Sequence, residues 1–185
     1  MKYPIGIQNF EKVRNDGYVY VDKTALIYQL ADTGSYYFLS RPRRFGKSLL
    51  ISTMDAYFSG KRELFKGLAI EKLEQKWAKH PILHLDLNTA KYSNADSLEK
   101  RLDITLSQWE QLYGALPAET TPELRFEGIV RRAYEKTGER VVILVDEYDK
   151  PMLQAINNEA LTNEDRKSTR LNSSHLKLSR MPSSA

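Results

Sequence analysis

A short apolar segment that runs into a basic loop and then directly into a helix constrains the fold of this chain most. Residues 36–40 (YYFLS) predict a strand, and residues 41–48 (RPRRFGKS) form a loop that ends in Gly-Lys-Ser. Apolar residues then recur at helical spacing at Leu50, Met54 and Tyr57, and Gly60 is expected to end the helix. Strand, Gly-Lys-Ser loop and helix in this order are the context of a phosphate-binding loop. The segment therefore predicts an α/β fold with an anion site at a helix N-terminus.

The residue types of this loop suit a nucleotide phosphate bound with Mg²⁺. Backbone N–H groups of a loop and first helical turn are unpaired and point at an anion, and the helix dipole adds to the attraction. Lys47 is expected to reach the β- and γ-phosphates and to act in catalysis, and the Ser48 hydroxyl to bind Mg²⁺. The predicted nucleotide-binding residues are Arg41, Pro42, Arg43, Arg44, Phe45, Gly46, Lys47, Ser48 and Leu49.

The loop departs from the usual pattern at its first position. That pattern opens with Gly, whereas this chain has Arg41, followed by Pro42, which fixes its own φ. Either the loop follows a variant path, or Arg43 and Arg44 add phosphate contacts that glycine cannot make. A solvated basic turn is the alternative, because charge runs usually face solvent.

A second apolar run ends in two acids. Residues 141–145 (VVILV) predict a central parallel strand, and Asp146 and Glu147 follow at once. In open α/β sheets ligands bind beyond the carboxyl ends of the strands, so the acids and the loop are expected to share one crevice. Asp146 is the predicted Mg²⁺ ligand, and Glu147 is placed to orient or deprotonate the attacking water.

Other segments fit a parallel sheet flanked by helices. Residues 1–21 are expected to be extended, with a short strand near 18–21, and 82–87 predict another strand. Apolar periodicity and end signals predict helices over 22–33, over 71–79, from Asp96 and from Thr121 to Gly138. The predicted class is an α/β P-loop NTPase sheet that is incomplete at its C-terminus.

Several polar residues fit structural roles at least as well as functional ones. Asp86, at a strand end, is expected to cap a turn rather than face the crevice. Tyr148 and Asp149 could contact the nucleotide or a partner, or only pack their loop. Structural roles are also expected for Lys23, Thr24, His80 and His84.

The last 21 residues differ from the rest. The string DRKSTRLNSSH–LKL–SRMPSSA (165–185) resembles a conceptual translation of a short-read sequencing adapter, and a genuine disordered tail is the alternative. It holds five of the 28 Lys and Arg and one of the 24 Asp and Glu, so residues 1–164 carry 23 of each. The basic pI is therefore a property of the tail and gives no support for nucleic-acid binding. We expect one nucleotide-binding domain over 1–164 and a non-native or disordered tail over 165–185.

Targeting signals are not apparent. The N-terminus lacks the apolar stretch of a signal peptide, no run reaches the length of a membrane span, and there is no cysteine. A cytoplasmic protein without membrane contact is expected.

Three blocks carry a family resemblance. The lead-in PIGIQNFEKVRNDGYVYVDKTALIYQL, the loop SRPRRFGKSLLISTM and the strand VVILVDEYDKPM resemble the AAA-ATPase-like family of bacterial proteins, in the family's order and over nearly all of 3–160. The family also has Arg in place of the first Gly. The resemblance implies an ATP-binding domain with Lys47 and Ser48 as Walker A residues and Asp146 and Glu147 as the acidic pair. Family members often continue into a nuclease-like domain of the PD-(D/E)XK type, so the resemblance implies that nucleic acid could be a partner only through a missing C-terminal region.

Two functions remain open at this point. The first is Mg²⁺-dependent ATP hydrolysis, with any sensor residue and arginine finger lying beyond residue 164, so that turnover by this chain alone is doubtful. The second is an ATP-dependent binding switch with little or no turnover. A small-molecule kinase and a GTPase fit less well, because no lid, acceptor pocket or Asn-Lys-x-Asp string is visible. Assembly as a homo-oligomer is compatible with the family.

Overall fold

The computed structural model describes residues 1–40, 45–88 and 95–151. These residues form two compact units: 1–40, 45–82 and 139–144 make up the first, and 83–88, 95–138 and 145–151 the second. Arg41, Pro42, Arg43 and Arg44 of the predicted loop lie outside the described residues, as does the predicted tail.

The first unit is mainly helical and has an aromatic core. Its helices are α1 (Phe10–Asn15), α2 (Thr24–Thr33), α3 (Lys47–Phe58) and α4 (Ile70–Leu73), with a 3₁₀ turn at Arg62–Phe65. Aromatic rings pack edge-on or tilted in its centre, and their burial contributes to the driving force for folding this unit. The buried aromatic residues are Phe10, Tyr57, Phe58 and Phe65.

Polar contacts fix α1 against α3, which carries the predicted lysine. The Asn9 side chain caps α1 by accepting the N–H of Lys12 at 2.8 Å. The N–H of Phe10 donates to the Ser52 hydroxyl on α3 at 2.9 Å. α1 is thereby held on the middle of α3.

The second unit contains a pair of long helices, α5 (Ala95–Tyr113) and α6 (Pro122–Thr137). Thr121 caps α6, with Pro122 in its first turn and Gly138 in a left-handed conformation at its end, as the sequence predicts. The guanidinium of Arg125 binds both carboxylate oxygens of Glu110 at 2.7 and 2.8 Å, which ties α6 to α5.

The described strands are β1 (Ile82–Asp86) and β2 (Val142–Asp146), which pair in one parallel sheet. At one end of the pair the N–H of Val142 donates to the Pro81 carbonyl at 2.9 Å. At the other end the N–H of Leu87 donates to the Asp146 carbonyl at 3.1 Å. The described elements therefore mix helices with a small parallel sheet, consistent with an α/β fold.

Several predicted elements differ from the structure. Tyr36 makes an isolated β-bridge and residues 37–40 have no regular structure, so the predicted strand before the loop is not formed as a ladder in the described part of the chain. Residues 18–21 are likewise not a strand, although the N–H of Val19 donates to the Lys2 carbonyl. The short helix α1 was not predicted and interrupts the expected extended lead-in.

The helix predicted over 71–79 stops after one turn at Leu73. The carboxylate of Glu74 accepts the N–H of Lys76 at 2.7 Å, and Trp77 has a positive φ of 45°. A side chain that bonds the following backbone offers it an alternative to the helix, and a residue with positive φ cannot continue one. Glu74 therefore ends this helix early.

Among the residues the structure describes, no helix combines the length and apolar character needed to cross a membrane.

Candidate functional site

The first turn of α3 provides one half of the candidate site. Gly46 precedes the helix in a left-handed conformation (φ 77°, ψ 21°), which lets the chain turn sharply into Lys47. The first intrahelical bond runs from the N–H of Leu50 to the Gly46 carbonyl at 3.0 Å. The N–H groups of Lys47, Ser48 and Leu49 therefore precede the hydrogen-bonded part of the helix.

This helix end has the electrostatic character of an anion site. No side chain within the described ranges caps α3, and its first turn contains no acid. Lys47 is half-buried and adds a positive charge to the positive end of the helix dipole. Phe45 is largely exposed beside it. The turn from Gly46 to Leu49 can therefore bind a phosphate through backbone N–H groups and one ammonium.

The acidic pair lies at the carboxyl end of β2. Asp146 is the last residue of the strand, and its Oδ1 accepts the N–H of Glu147 at 2.9 Å. Its Oδ2 accepts no hydrogen bond within the described residues. Glu147 itself has a positive φ of 54°, which is uncommon for a residue with a side chain and costs on the order of 1 kcal/mol. The pair is held in a strained turn immediately after the strand.

The neighbouring loop after β1 contributes a second set of contacts. Asp86 Oδ1 accepts the N–H of Asn88 at 2.8 Å, so Asp86 has the turn role that the sequence favoured. The Asp86 carbonyl accepts two hydrogen bonds from the Arg101 guanidinium on α5. The Lys150 ammonium donates to the carbonyl of Asn88 and to its Oδ1, the latter at 3.2 Å. These contacts join the loop after β1 to the loop after β2.

A third acid, Asp149, follows β2 in the same loop as Asp146 and Glu147. Asp149 Oδ1 is buried and has no hydrogen-bond partner in the part of the chain that the structure describes. A buried acceptor without a donor costs about 1–3 kcal/mol, so such an atom is usually paired in the functional state. Asp149 was predicted only as an equal choice between loop packing and contact with the nucleotide or a partner. The choice between these roles stays a prediction.

The predicted site residues fall into two groups. Phe45 to Leu49 are consecutive in the first unit, and Asp146 and Glu147 are consecutive in the second. Their combination in one nucleotide site stays a prediction. Thr24 is fully buried and its hydroxyl accepts the N–H of Ile70 at 3.1 Å, which is a structural role at the start of α2. Lys23 precedes this helix as its N-cap residue.

Sequence reasoning missed Asn88 and Lys150. Lys150 directly follows the string Asp146-Glu147-Tyr148-Asp149, and its position there was the available signal. Asn88 lies 62 residues from Lys150 in sequence, so only the pairing of the strands reveals their contact.

A cleft of about 670 Å³ in the first unit involves none of the predicted site residues. Burial and the hydrogen bond to Glu74 raise the pKa of Tyr57 on its wall well above the ordinary value. Acidic and basic side chains both line the cleft, among them Asp32, Glu139, Lys76 and Arg140. The lining therefore favours neither an anionic nor a cationic ligand. The predicted phosphate-binding residues lie instead at the start of α3.

Comparison with known proteins identifies the family. A family model described as "Predicted AAA-ATPase" matches residues 4–179, which runs past the predicted boundary at residue 164. A protein of Azotobacter chroococcum mcd 1 described as "Uncharacterized protein in vnfD 5'region" is 42% identical over 166 residues. That match covers 89% of this chain and 32% of the relative, so the chain spans about a third of the relative's length. No solved structure matches. The chain therefore belongs to the AAA-ATPase-like family of predicted AAA-ATPases.

Proposed function

We propose that the chain binds ATP with Mg²⁺ and that the site predicted from the Gly-Lys-Ser loop and the acidic pair hydrolyses it. The observation that carries the proposal is the start of α3, where a left-handed Gly46 and an uncapped first turn precede a half-buried Lys47. A helix N-terminus with a Gly-Lys-Ser sequence is the structural context in which that motif binds phosphates. The family description agrees with nucleotide binding in general.

The residues present fit a bound Mg²⁺. Magnesium prefers hard oxygen ligands such as carboxylates and hydroxyls, and it usually keeps several waters. Asp146 Oδ2 and Asp149 Oδ1 are carboxylate oxygens that no donor in the described ranges occupies. We assign Ser48 and Asp146 as ligands, where the metal would neutralise phosphate charge.

The roles of the remaining residues follow from their chemistry. The N–H groups at the start of α3 and the Lys47 ammonium hold the phosphate oxygens and stabilise charge that develops there. Arg41, Pro42, Arg43 and Arg44 complete the loop in this proposal. Glu147 orients the attacking water and accepts its proton, as a carboxylate beyond a strand end can.

The test is nucleotide binding by the 185-residue chain. The probe is a fluorescent ATP analogue titrated with Mg²⁺, and the variants are Lys47→Met and Lys72→Met. Lys72 lies exposed on α4 in the same unit and serves as the matched control. Removing a charge-assisted phosphate contact should weaken binding by about tenfold or more, whereas Lys72→Met should leave it unchanged. An unmodified chain that binds no analogue, or equal binding by both variants, would refute the proposal.

A second candidate function is an ATP-dependent binding switch with little turnover. The strained φ of Glu147, held by a hydrogen bond to Asp146, is the observation that favours it. Strained backbone persists where the surroundings enforce it and is frequent in switch segments. Binding of analogue without measurable phosphate release by the unmodified chain would favour the switch over the hydrolase.

A further inference from the structure

The segment that follows β2 is anchored at a second point by one side chain. Asp146 ends the strand, and its carbonyl accepts the N–H of Leu87, which is the last backbone hydrogen bond described between the two chain segments. Beyond it the backbone reverses through Glu147 in a left-handed conformation. The N–H of Lys150 then donates to the Glu147 carbonyl at 3.0 Å, which closes the turn.

The Lys150 side chain reaches back across this turn to the loop after β1. Its ammonium donates both to the carbonyl and to the Oδ1 of Asn88. An ammonium has three donors, so two acceptors on one residue define its position better than a single contact would. Lys150 is half-buried and Asn88 is exposed, so the contact lies at the surface of the unit.

Asn88 is itself connected to α5 by hydrogen bonds through Asp86. Its N–H donates to Asp86 Oδ1, and the Asp86 carbonyl accepts from Nε and Nη2 of Arg101 at 3.3 and 3.0 Å. The chain of contacts therefore runs from α5 through the loop after β1 to Lys150. Each partner belongs to the second unit.

We infer that Lys150 is a positioning residue for the acidic pair, acting through Asn88 to hold Asp146 and Glu147 in place. The inference rests on the proposed function, in which those two acids bind Mg²⁺ and activate water. Beyond the turn the chain enters helical residues at 149–151, and the Lys150 side chain links this start to the loop after β1. A residue with positive φ such as Glu147 relaxes toward the common backbone regions when its surroundings enforce it less, and the tether is one of the described contacts that enforce it. A catalytic carboxylate that moves by about 1 Å loses most of its effect, so the tether matters for function.

The first experiment measures the tether without any nucleotide. Hydrogen exchange of the segment 144–151 is compared between the unmodified chain, Lys150→Met and Lys150→Arg. Methionine keeps the apolar stem but donates no hydrogen bond, and arginine restores the donors. Lys150→Met should speed exchange at the Glu147 and Lys150 amides by about threefold to tenfold, and Lys150→Arg should restore most of the protection. Equal exchange in all three proteins would overturn the inference whatever the nucleotide experiments show.

The second experiment asks whether the tether serves the acids. Binding of the fluorescent ATP analogue is measured with and without Mg²⁺ for Lys150→Met and for Lys100→Met, an exposed lysine on α5 of the same unit. Lys150→Met should raise the Mg²⁺ concentration needed for half-maximal enhancement by about threefold to tenfold and leave metal-free binding unchanged. Lys100→Met should change neither.

Two other outcomes distinguish a failure of the positioning role from a failure of the proposed function. An unmodified chain that shows Mg²⁺-enhanced binding, with the same Mg²⁺ requirement in Lys150→Met, overturns the positioning role and leaves the proposed function standing. An unmodified chain that binds no analogue overturns the proposed function and this role with it, while the exchange data still decide whether Lys150 holds the turn.

Discussion

The carboxylate of Asp22 accepts the backbone N–H of Ala69, 47 residues further along the chain, at 2.7 Å. Its other oxygen accepts the N–H and the hydroxyl of Thr24. The Thr24 hydroxyl in turn accepts the N–H of Ile70. The starts of α2 and α4 are therefore joined by one acid and one hydroxyl.

Replacing Asp22 by Asn should destabilise the first unit. The amide can still accept from Thr24 through its oxygen, but its NH₂ group cannot accept from Ala69 and leaves that N–H unpaired. We expect a loss of about 1–2 kcal/mol in the free energy of unfolding, measured by urea denaturation. Asp16→Asn is the control, since its exposed carboxylate accepts no hydrogen bond within the described residues. An equal effect of both substitutions would contradict the structural role.

The contribution of Asp22 should also depend on pH. Burial alone would raise the pKa of Asp22, but hydrogen bonds from Thr24 and Ala69 outweigh it and lower the pKa below its ordinary value. An unfolded Asp titrates near about 3.9, so between that pH and the lower folded pKa the unfolded state binds more protons. The stabilisation is therefore complete above the unfolded pKa and is lost as the pH falls through the folded one.

The measurement is the stability difference between the unmodified chain and Asp22→Asn from pH 7 downward. We expect a constant difference to about pH 5 and a progressive decrease below about pH 4. A difference that grows on acidification would show that the folded-state pKa is raised instead.

Gly46→Ala should impair both stability and nucleotide binding. A Cβ at Gly46 would meet no atom of the described residues within 4 Å, so among these residues the cost arises from its φ of 77°. A residue with a side chain is disfavoured there by about 1 kcal/mol, and relief of this strain would rotate the N–H groups that open α3.

Gly67→Ala is a closely matched control for this effect. Gly67 has a φ of 79° and equally open surroundings, but it lies between the 3₁₀ turn and α4. It should lose similar stability and bind the fluorescent ATP analogue normally. Equal loss of binding in both variants would mean that stability alone, rather than the phosphate loop, explains the result.

Glu147→Gln should separate binding from hydrolysis. The amide keeps the size of the side chain but cannot accept a proton, so phosphate release should fall by about a hundredfold or more. Binding of the ATP analogue should stay within about twofold, because Glu147 is not assigned to the phosphates or the metal. The comparison requires an unmodified chain with measurable turnover. Loss of binding in the variant would remove Glu147 from the role of base.

The sequence predicted those parts of the fold that depend on local signals. Gly46 before an apolar-periodic segment placed the start of α3, and Thr121-Pro122 with Gly138 placed both ends of α6. The run 141–145 located β2 to within one residue. In each case the cap or the turn residue lies next to the element that it limits, so no distant partner was needed.

The elements and contacts that were missed depend on distant partners. α1 has six residues, too few to be stable alone, and its first N–H is satisfied by Ser52 on another helix. A strand at 36–40 needs neighbouring strands, which no local pattern supplies. Asn88 and Lys150 meet only because β1 and β2 pair in parallel. The residue types of the candidate site were predictable, whereas the residues that hold them in position were not.

Gly128→Ala in α6 should destabilise the second unit, against the normal effect of this substitution. Alanine in a helix interior is more favourable than glycine by about 1 kcal/mol. At Gly128, however, an added Cβ would clash with the carboxylate of Glu119, which the Arg132 guanidinium binds through both oxygens. The Nε of Arg132 also donates to the Tyr113 carbonyl at the end of α5, so displacing Glu119 disturbs the connection between the two helices.

The cause can be isolated by repeating the substitution without the carboxylate. In a Glu119→Ala background the clash is absent, and Gly128→Ala should then raise the melting temperature rather than lower it. Thermal unfolding followed by circular dichroism gives the melting temperature with and without Gly128→Ala, once in the unmodified chain and once in the Glu119→Ala background. A sign reversal is expected because the two residues are in direct contact, and contacting residues give non-additive effects. If Gly128→Ala stabilises the chain in both backgrounds, Glu119 does not lie against α6 in solution.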